Sequence, residues 1–128
     1  MTMTKFAHGI DAVEIERIAA MVKAHGERFL ARVFTPGERM HAEGKKNAAQ
    51  HFAARFAAKE AVFKALGTGW SDGIAWTDVE VVSEPTGRPA LQLHGRASEI
   101  AMQHGLTRWQ ISITHTRTVA MASVIGFG

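Results

Sequence analysis

The sequence predicts an α+β fold, an antiparallel β-sheet packed against one long helix, and three stretches carry that expectation. Residues 52–69 are rich in Ala, carry the helix formers Lys59, Glu60, Lys64 and Leu66, and contain no proline. Phe52, Phe56, Phe63 and Leu66 fall on one side of this stretch at about 100° per residue, and Gly67 can close the helix in the left-handed conformation. Residues 109–114 alternate strictly, with Trp109, Ile111 and Ile113 on one face. The polar turn 115–118 then leads into a small and apolar strand over 119–125, making a hairpin. A second hairpin pairs 74–82 with 90–94 across a turn containing Pro85, Gly87 and Pro89. At 128 residues, with no internal repeat and no linker, the chain makes one domain.

In chain order, residues 5–10 form a short opening strand that runs into Gly9-Ile10-Asp11. Asp11 precedes a helix over 12–25, where an aspartate can act as N-cap. Gly26 breaks that helix, and residues 27–34 resume it. Thr35-Pro36-Gly37-Glu38 has the composition of a capping box with proline in the first turn, so a short helix over 36–43 follows. A polar turn over 44–47 leads to the long helix, and Trp70-Ser71-Asp72-Gly73 is a loop by composition. After the first hairpin, residues 96–104 form a short helix that ends at Gly105.

Composition excludes several classes. The apolar fraction is 46% and the charged fraction 21%, ordinary for a soluble globular protein. With no cysteine, neither a disulfide framework nor a thiolate metal site can form. No run approaches the roughly 20 apolar residues of a membrane span, and the N-terminus has no signal-peptide core, so the expected compartment is the cytoplasm. A net charge of +3 favours acidic partners weakly. A nucleic-acid reading lacks the stripe of basic and aromatic residues it needs. The seven histidines are scattered without metal-ligand spacing. There is no Walker loop, no G-x-G-x-x-G and no nucleophile in triad context.

What remains is a small set of charges in places that packing alone does not explain. Lys59 falls inside the phenylalanine stripe of the long helix. It either snorkels its amine to water or serves a ligand. Glu60 and Lys64, one turn apart, are either an exposed ion pair worth a few tenths of a kcal/mol or part of a site for metal and phosphate. Carboxylates are the available hard ligands and suit Mg²⁺ or Mn²⁺. Arg17, Met21, Arg28 and Arg32 lie roughly along one helical track as a basic strip with a greasy spot.

Gly9-Ile10-Asp11 with Glu14 and Arg17, Arg32-Val33-Phe34-Thr35 with Glu38, the run from Arg55 through Lys59-Glu60 and Lys64 to Gly67-Thr68-Gly69, Gly87-Arg88-Pro89, and Ile111-Ser112-Ile113-Thr114-His115-Thr116 together resemble the 4′-phosphopantetheinyl transferases. The short length and motif order are similar to their holo-acyl-carrier-protein synthase group. The resemblance implies that group's fold and its reaction: transfer of the phosphopantetheine arm of coenzyme A to a serine of apo acyl carrier protein, releasing adenosine 3′,5′-bisphosphate. It implies that Asp11 and Glu60 hold Mg²⁺, with Mn²⁺ a possible substitute, and that Asp11, Glu60 and Lys64 are catalytic. Glu60 is the candidate to take the serine proton, directly or through a water on the metal. Lys59, Lys64, Gly67, Thr68, Gly69, Arg88, Pro89, His115 and Thr116 are implied contacts of coenzyme A. Arg17, Met21, Arg28 and Arg32 would meet an acidic acyl carrier protein. A homotrimer with active sites between subunits is implied as well. The competing reading is a module that binds coenzyme A or an acidic partner without chemistry. Asp11 and Glu60 discriminate, because two carboxylates near a polyphosphate weaken binding unless a metal joins them.

Overall fold

The computed structural model describes residues 4–69 and 73–128; the loop expected at Trp70, Ser71 and Asp72 lies outside the described residues. The elements run β1 (Phe6–Glu14), α1 (Ile15–His25), α2 (Glu27–Val33), α3 (Pro36–Glu43), α4 (Ala48–Leu66), a 3₁₀ turn (Trp76–Asp78), β2 (Val79–Ser83), β3 (Pro89–Leu93), α5 (Gly95–Gln103), β4 (Arg108–His115) and β5 (Val119–Phe127). Two antiparallel sheets form. β1, β5 and β4 lie side by side with β5 in the middle, and β2 pairs with β3. The α+β expectation and both hairpins are therefore present, as are the chain order of the helices and the capping box. Glu38 N–H donates to Thr35 Oγ1 at 3.2 Å, and Thr35 N–H donates to Glu38 Oε1 at 2.9 Å.

The opening strand departs from expectation. β1 runs on through Asp11 to Glu14 and pairs with the whole of β5, from Phe6 opposite Phe127 to Glu14 opposite Val119. Helix α1 begins only at Ile15, so Asp11 is not an N-cap. A nine-residue ladder with the last strand satisfies those backbone groups, and it outweighs the local capping preference of one aspartate. The strand expected to start at residue 74 likewise begins at Val79. Asp78 accepts a hydrogen bond from Ala75 N–H at 3.2 Å and tightens the preceding segment into a 3₁₀ turn.

Helix α4 is the axis of the core. It starts at Ala48, directly after the expected polar turn, and ends where Gly67 adopts φ 75° with its N–H bonded to Phe63 O at 3.0 Å. Rather than carrying one apolar stripe, it is enclosed on nearly every side. Phe52, Phe56, Phe63 and Leu66 are buried together with Ala53, Ala57, Ala58, Ala61 and Val62. Alanines let neighbouring backbone approach, and the closest approach is at Gly9. A Cβ there would sit 1.8 Å from the carbonyl oxygen of Ala61. Strand β1 thus lies directly on α4. The twofold alternation of a strand then puts Asp11 and Val13 on the face of Gly9, toward the helix.

Candidate active site

The contact at Gly9 sets the geometry of the charged cluster. Two residues beyond it, Asp11 receives Lys64 from α4: Nζ donates to Asp11 Oδ1 at 2.9 Å and to the Ile10 carbonyl at 3.1 Å. Glu60, one turn before Lys64, is half-buried. Burial first, and the charge of Asp11 second, raise its carboxyl pKa above the ordinary value, while Lys64 and Arg17 pull the other way. Asp11, Glu60, Lys64 and Arg17 therefore share one electrostatic neighbourhood, although they come from β1, α1 and α4. The Arg17 guanidinium stands 5.7 Å from the centroid of the Phe56 ring. Lys64 pairs with Asp11, not with Glu60 as a simple helix-surface reading supposes. Just beyond, Gly67 and Gly69 have φ of 75° and 54°, and a Cβ at either would meet nothing within 4 Å among the described residues. The backbone on both sides of Thr68 is thus open to a ligand.

Lys59 does not belong with these groups. It is fully buried and neither snorkels to water nor reaches a phosphate. Its Nζ donates to Glu38 Oε1 at 2.7 Å, to Trp76 O at 3.2 Å and to Val79 O. Three acceptors saturate an ammonium, so none of its protons is left for coenzyme A. The expectation that Lys59 binds the cofactor is corrected on that ground.

The other expected cofactor contacts lie apart from the carboxylates. Arg88 Nη2 bonds Gln110 Oε1 at 3.2 Å. With Pro89, Ile111, Ser112 and Ser123, these residues line a groove of about 390 Å³ along β4. His115 closes the opposite end of β4. His115 is five strand steps from Gln110, roughly 17 Å. Thr116 Oγ1 accepts the backbone N–H groups of Thr118 and Val119 at 3.2 and 3.1 Å, so this hydroxyl shapes the turn between β4 and β5. Around His115 the surroundings are cationic: burial, then Arg55, Lys45 and His115, push the His51 pKa below its ordinary range. On the other flank, Met21, Arg28 and Arg32 are exposed on α1 and α2. Gly26, at φ 51°, separates those two helices.

The family model described as the 4′-phosphopantetheinyl transferase superfamily matches residues 7–120. This chain belongs to that superfamily. Within the superfamily it is 50% identical over 117 residues to a protein named holo-[acyl-carrier-protein] synthase from Koribacter versatilis, covering 91% of this chain and 94% of that one. A protein of the same name from Solibacter usitatus is 46% identical over 117 residues, with the same coverage. The fold matches the Helicobacter pylori holo-[acyl-carrier-protein] synthase crystallised with coenzyme A, at TM-score 0.81 and 30% identity over 93% of this chain and 98% of that one. It also matches a Bacillus anthracis enzyme of that name in complex with CoA (3′,5′-ADP), at TM-score 0.81 and 31% identity over 98% and 99% of the two chains. The chain is thus a transferase of the phosphopantetheinyl superfamily.

Two residues do more in the fold than their sequence context discloses. Gly9 is legible as part of a motif, but its reason, the contact with Ala61, exists only in three dimensions. Glu38 reads as a capping residue and also meets Lys59 and Val81 N–H. The available signal was the spacing of Arg55 and Lys59, two cations one turn apart in an otherwise Phe- and Ala-rich helix.

Proposed function

We propose that this superfamily member acts as a holo-[acyl-carrier-protein] synthase, moving the phosphopantetheine arm of coenzyme A to a serine hydroxyl of an apo acyl carrier protein and releasing adenosine 3′,5′-bisphosphate. The observation that carries this reading is the meeting of Asp11 and Lys64 at 2.9 Å beside a Glu60 whose pKa Asp11 helps to raise. Two repelling carboxylates with hard oxygen donors fit Mg²⁺, which is held by one or two carboxylates plus substrate phosphates. Mn²⁺ fits the same donors. When bound, the ion supplies positive charge to the diphosphate oxygens.

The chain's own groups do the rest. Lys64, already aimed at Asp11, offsets negative charge on the phosphoryl oxygens and the departing bisphosphate. Glu60 takes the serine proton; its raised pKa brings it nearer the value at which a general base works best at neutral pH. Gly67, Thr68 and Gly69 bring backbone against the cofactor. The cationic surroundings of His115 suit another of its phosphates, and Arg88 and Pro89 border the nucleotide. The exposed Arg28 and Arg32, with Met21 and Arg17, steer and anchor an acidic carrier in the cytoplasm.

Arg88 meets β4 at Gln110 and His115 ends that strand, roughly 17 Å on, so a nucleotide that touches both kinds of residue can draw them from different subunits. A homotrimer with the pocket between copies satisfies this requirement. The sheet face turned away from α4 exposes Ile10, Met121 and Ile125, apolar side chains of the kind a partner covers. The test is to mix the protein with apo-carrier, coenzyme A and Mg²⁺ and weigh the carrier by mass spectrometry. A gain of one phosphopantetheine group is expected, slower as ionic strength rises. A carrier of unchanged mass would overturn the proposal.

A further inference from the structure

Helix α4 presents its working residues from a surface made largely of alanine. Ala53, Ala57, Ala58 and Ala61 are buried, and contacts this small and non-directional set depth better than rotation. One directional device inside the core can set it. Lys59 Nζ is bonded to Glu38 of α3 at 2.7 Å, to the Trp76 carbonyl at 3.2 Å and to the Val79 carbonyl. Three separate elements therefore converge on a single atom of α4. Glu38 cannot turn, because its two oxygens also accept Thr35 N–H and Val81 N–H, both at 2.9 Å. Neither member of the pair is exposed.

We propose that Lys59 and Glu38 are positioning residues, whose buried ion pair fixes the rotation and axial placement of α4 and so the place of Glu60 and Lys64 opposite Asp11. Glu60 is the next residue after Lys59, about 100° around the helix and 1.5 Å along it. Any turn or slide of α4 therefore displaces its carboxylate directly. Catalytic constellations must be held to within about 0.5 Å and 10–20°. A misplacement of about 1 Å can cost a factor near 10². The proposal rests on the reading of Asp11 and Glu60 as the metal pair.

The test replaces the pair by apolar groups of similar volume, Lys59→Met with Glu38→Leu. The exchange also leaves Thr35 N–H, Val81 N–H and the Trp76 and Val79 carbonyls without these partners, so the double variant is expected to melt below the wild-type temperature and is assayed where far-ultraviolet circular dichroism shows it folded. Mn²⁺ binding in the presence of coenzyme A, followed by electron paramagnetic resonance without carrier, should weaken about tenfold, and kcat/KM should fall by about 10². A merely structural pair would leave both unchanged in a protein that still folds, and that result overturns the positioning role. Glu38→Gln keeps the side chain's shape and serves as the second variant: weakened Mn²⁺ binding and turnover support the positioning role, and wild-type values for both overturn it. If the wild-type protein itself binds no Mn²⁺, it is the metal-pair reading that fails, and the two failures are told apart.

Discussion

Glu60 carries a conflict that the folded protein has not relieved by itself. Burial and the neighbouring Asp11 make its charged form costly, and Lys64 and Arg17 only partly compensate. A carboxyl whose pKa is raised by folding holds its proton more tightly in the folded than in the unfolded state. It favours folding below the ordinary value of 4.5 and loses that advantage as pH rises through the raised value. At neutral pH, in metal chelator, Glu60 therefore destabilises the protein, a stability–activity trade-off common at active sites. Glu60→Gln should raise the melting temperature by a few degrees at neutral pH, with the gain vanishing on acidification below the ordinary glutamate value. The same variant should lose at least about 10² in kcat/KM. Calorimetric melts at the two pH values check the first part. A variant that melts lower than wild type at neutral pH would show that the Glu60 charge is already compensated.

At the scale of elements, the fit of β1 on α4 decides whether a site exists at all. The Cβ of Gly9→Ala would meet backbone, which cannot swing aside as a flexible side chain could. Strand β1 must lift, and Asp11 moves with it. The expected cost is about 1–3 kcal/mol of stability, as for overpacking in a core, together with about 10² in activity. Chemical denaturation and turnover measured side by side check both, and wild-type values for the two would remove Gly9 from this role. This same contact marks the limit of what the chain discloses in one dimension. Helix α3 was legible because Thr35 and Glu38 cap it within four residues, and the β4–β5 hairpin because its alternation and turn are local. Asp11 and Glu60, the carboxylates of the proposed site, were legible only as motif residues. The pairing of β1 with β5 was not, since Phe6 and Phe127 lie at opposite ends of the sequence. Nor was the burial of Lys59, because its partners Glu38, Trp76 and Val79 come from elsewhere in the chain. Local signals predict local structure; long-range hydrogen bonds then reassign individual charges.

For the whole molecule, the three-stranded sheet has one face on α4 and another turned away from it. Along that outer face Ile10 stands beside Ser123, which bonds His8 at 3.1 Å, while Ile125 and Met121 follow on the central strand. Asp11 lies next to Ile10 on the edge strand β1 with its side chain on the α4 face, so in the proposed trimer a copy docked on the outer face would meet the carboxylate pair around that edge and bring nucleotide contacts of its own. The assembly and the chemistry then depend on the same surface. Met121→Glu with Ile125→Glu adds charge to exposed positions, leaving the α4 face of the sheet intact. Each subunit should keep its fold, with far-ultraviolet circular dichroism unchanged. Under the proposed assembly, light scattering should show a trimer for the wild type and a monomer for the variant, and carrier modification should fall by at least about 10². Subunit mixing sharpens the logic, using Asp11→Asn and Arg88→Ala, which leave Ile10, Met121 and Ile125 in place. If one subunit supplies Asp11 and its neighbour Arg88, mixed trimers regain part of the activity that each variant loses alone, whereas a site complete within one chain gains nothing from mixing. A monomeric Met121→Glu, Ile125→Glu variant that remains fully active would show that one chain suffices.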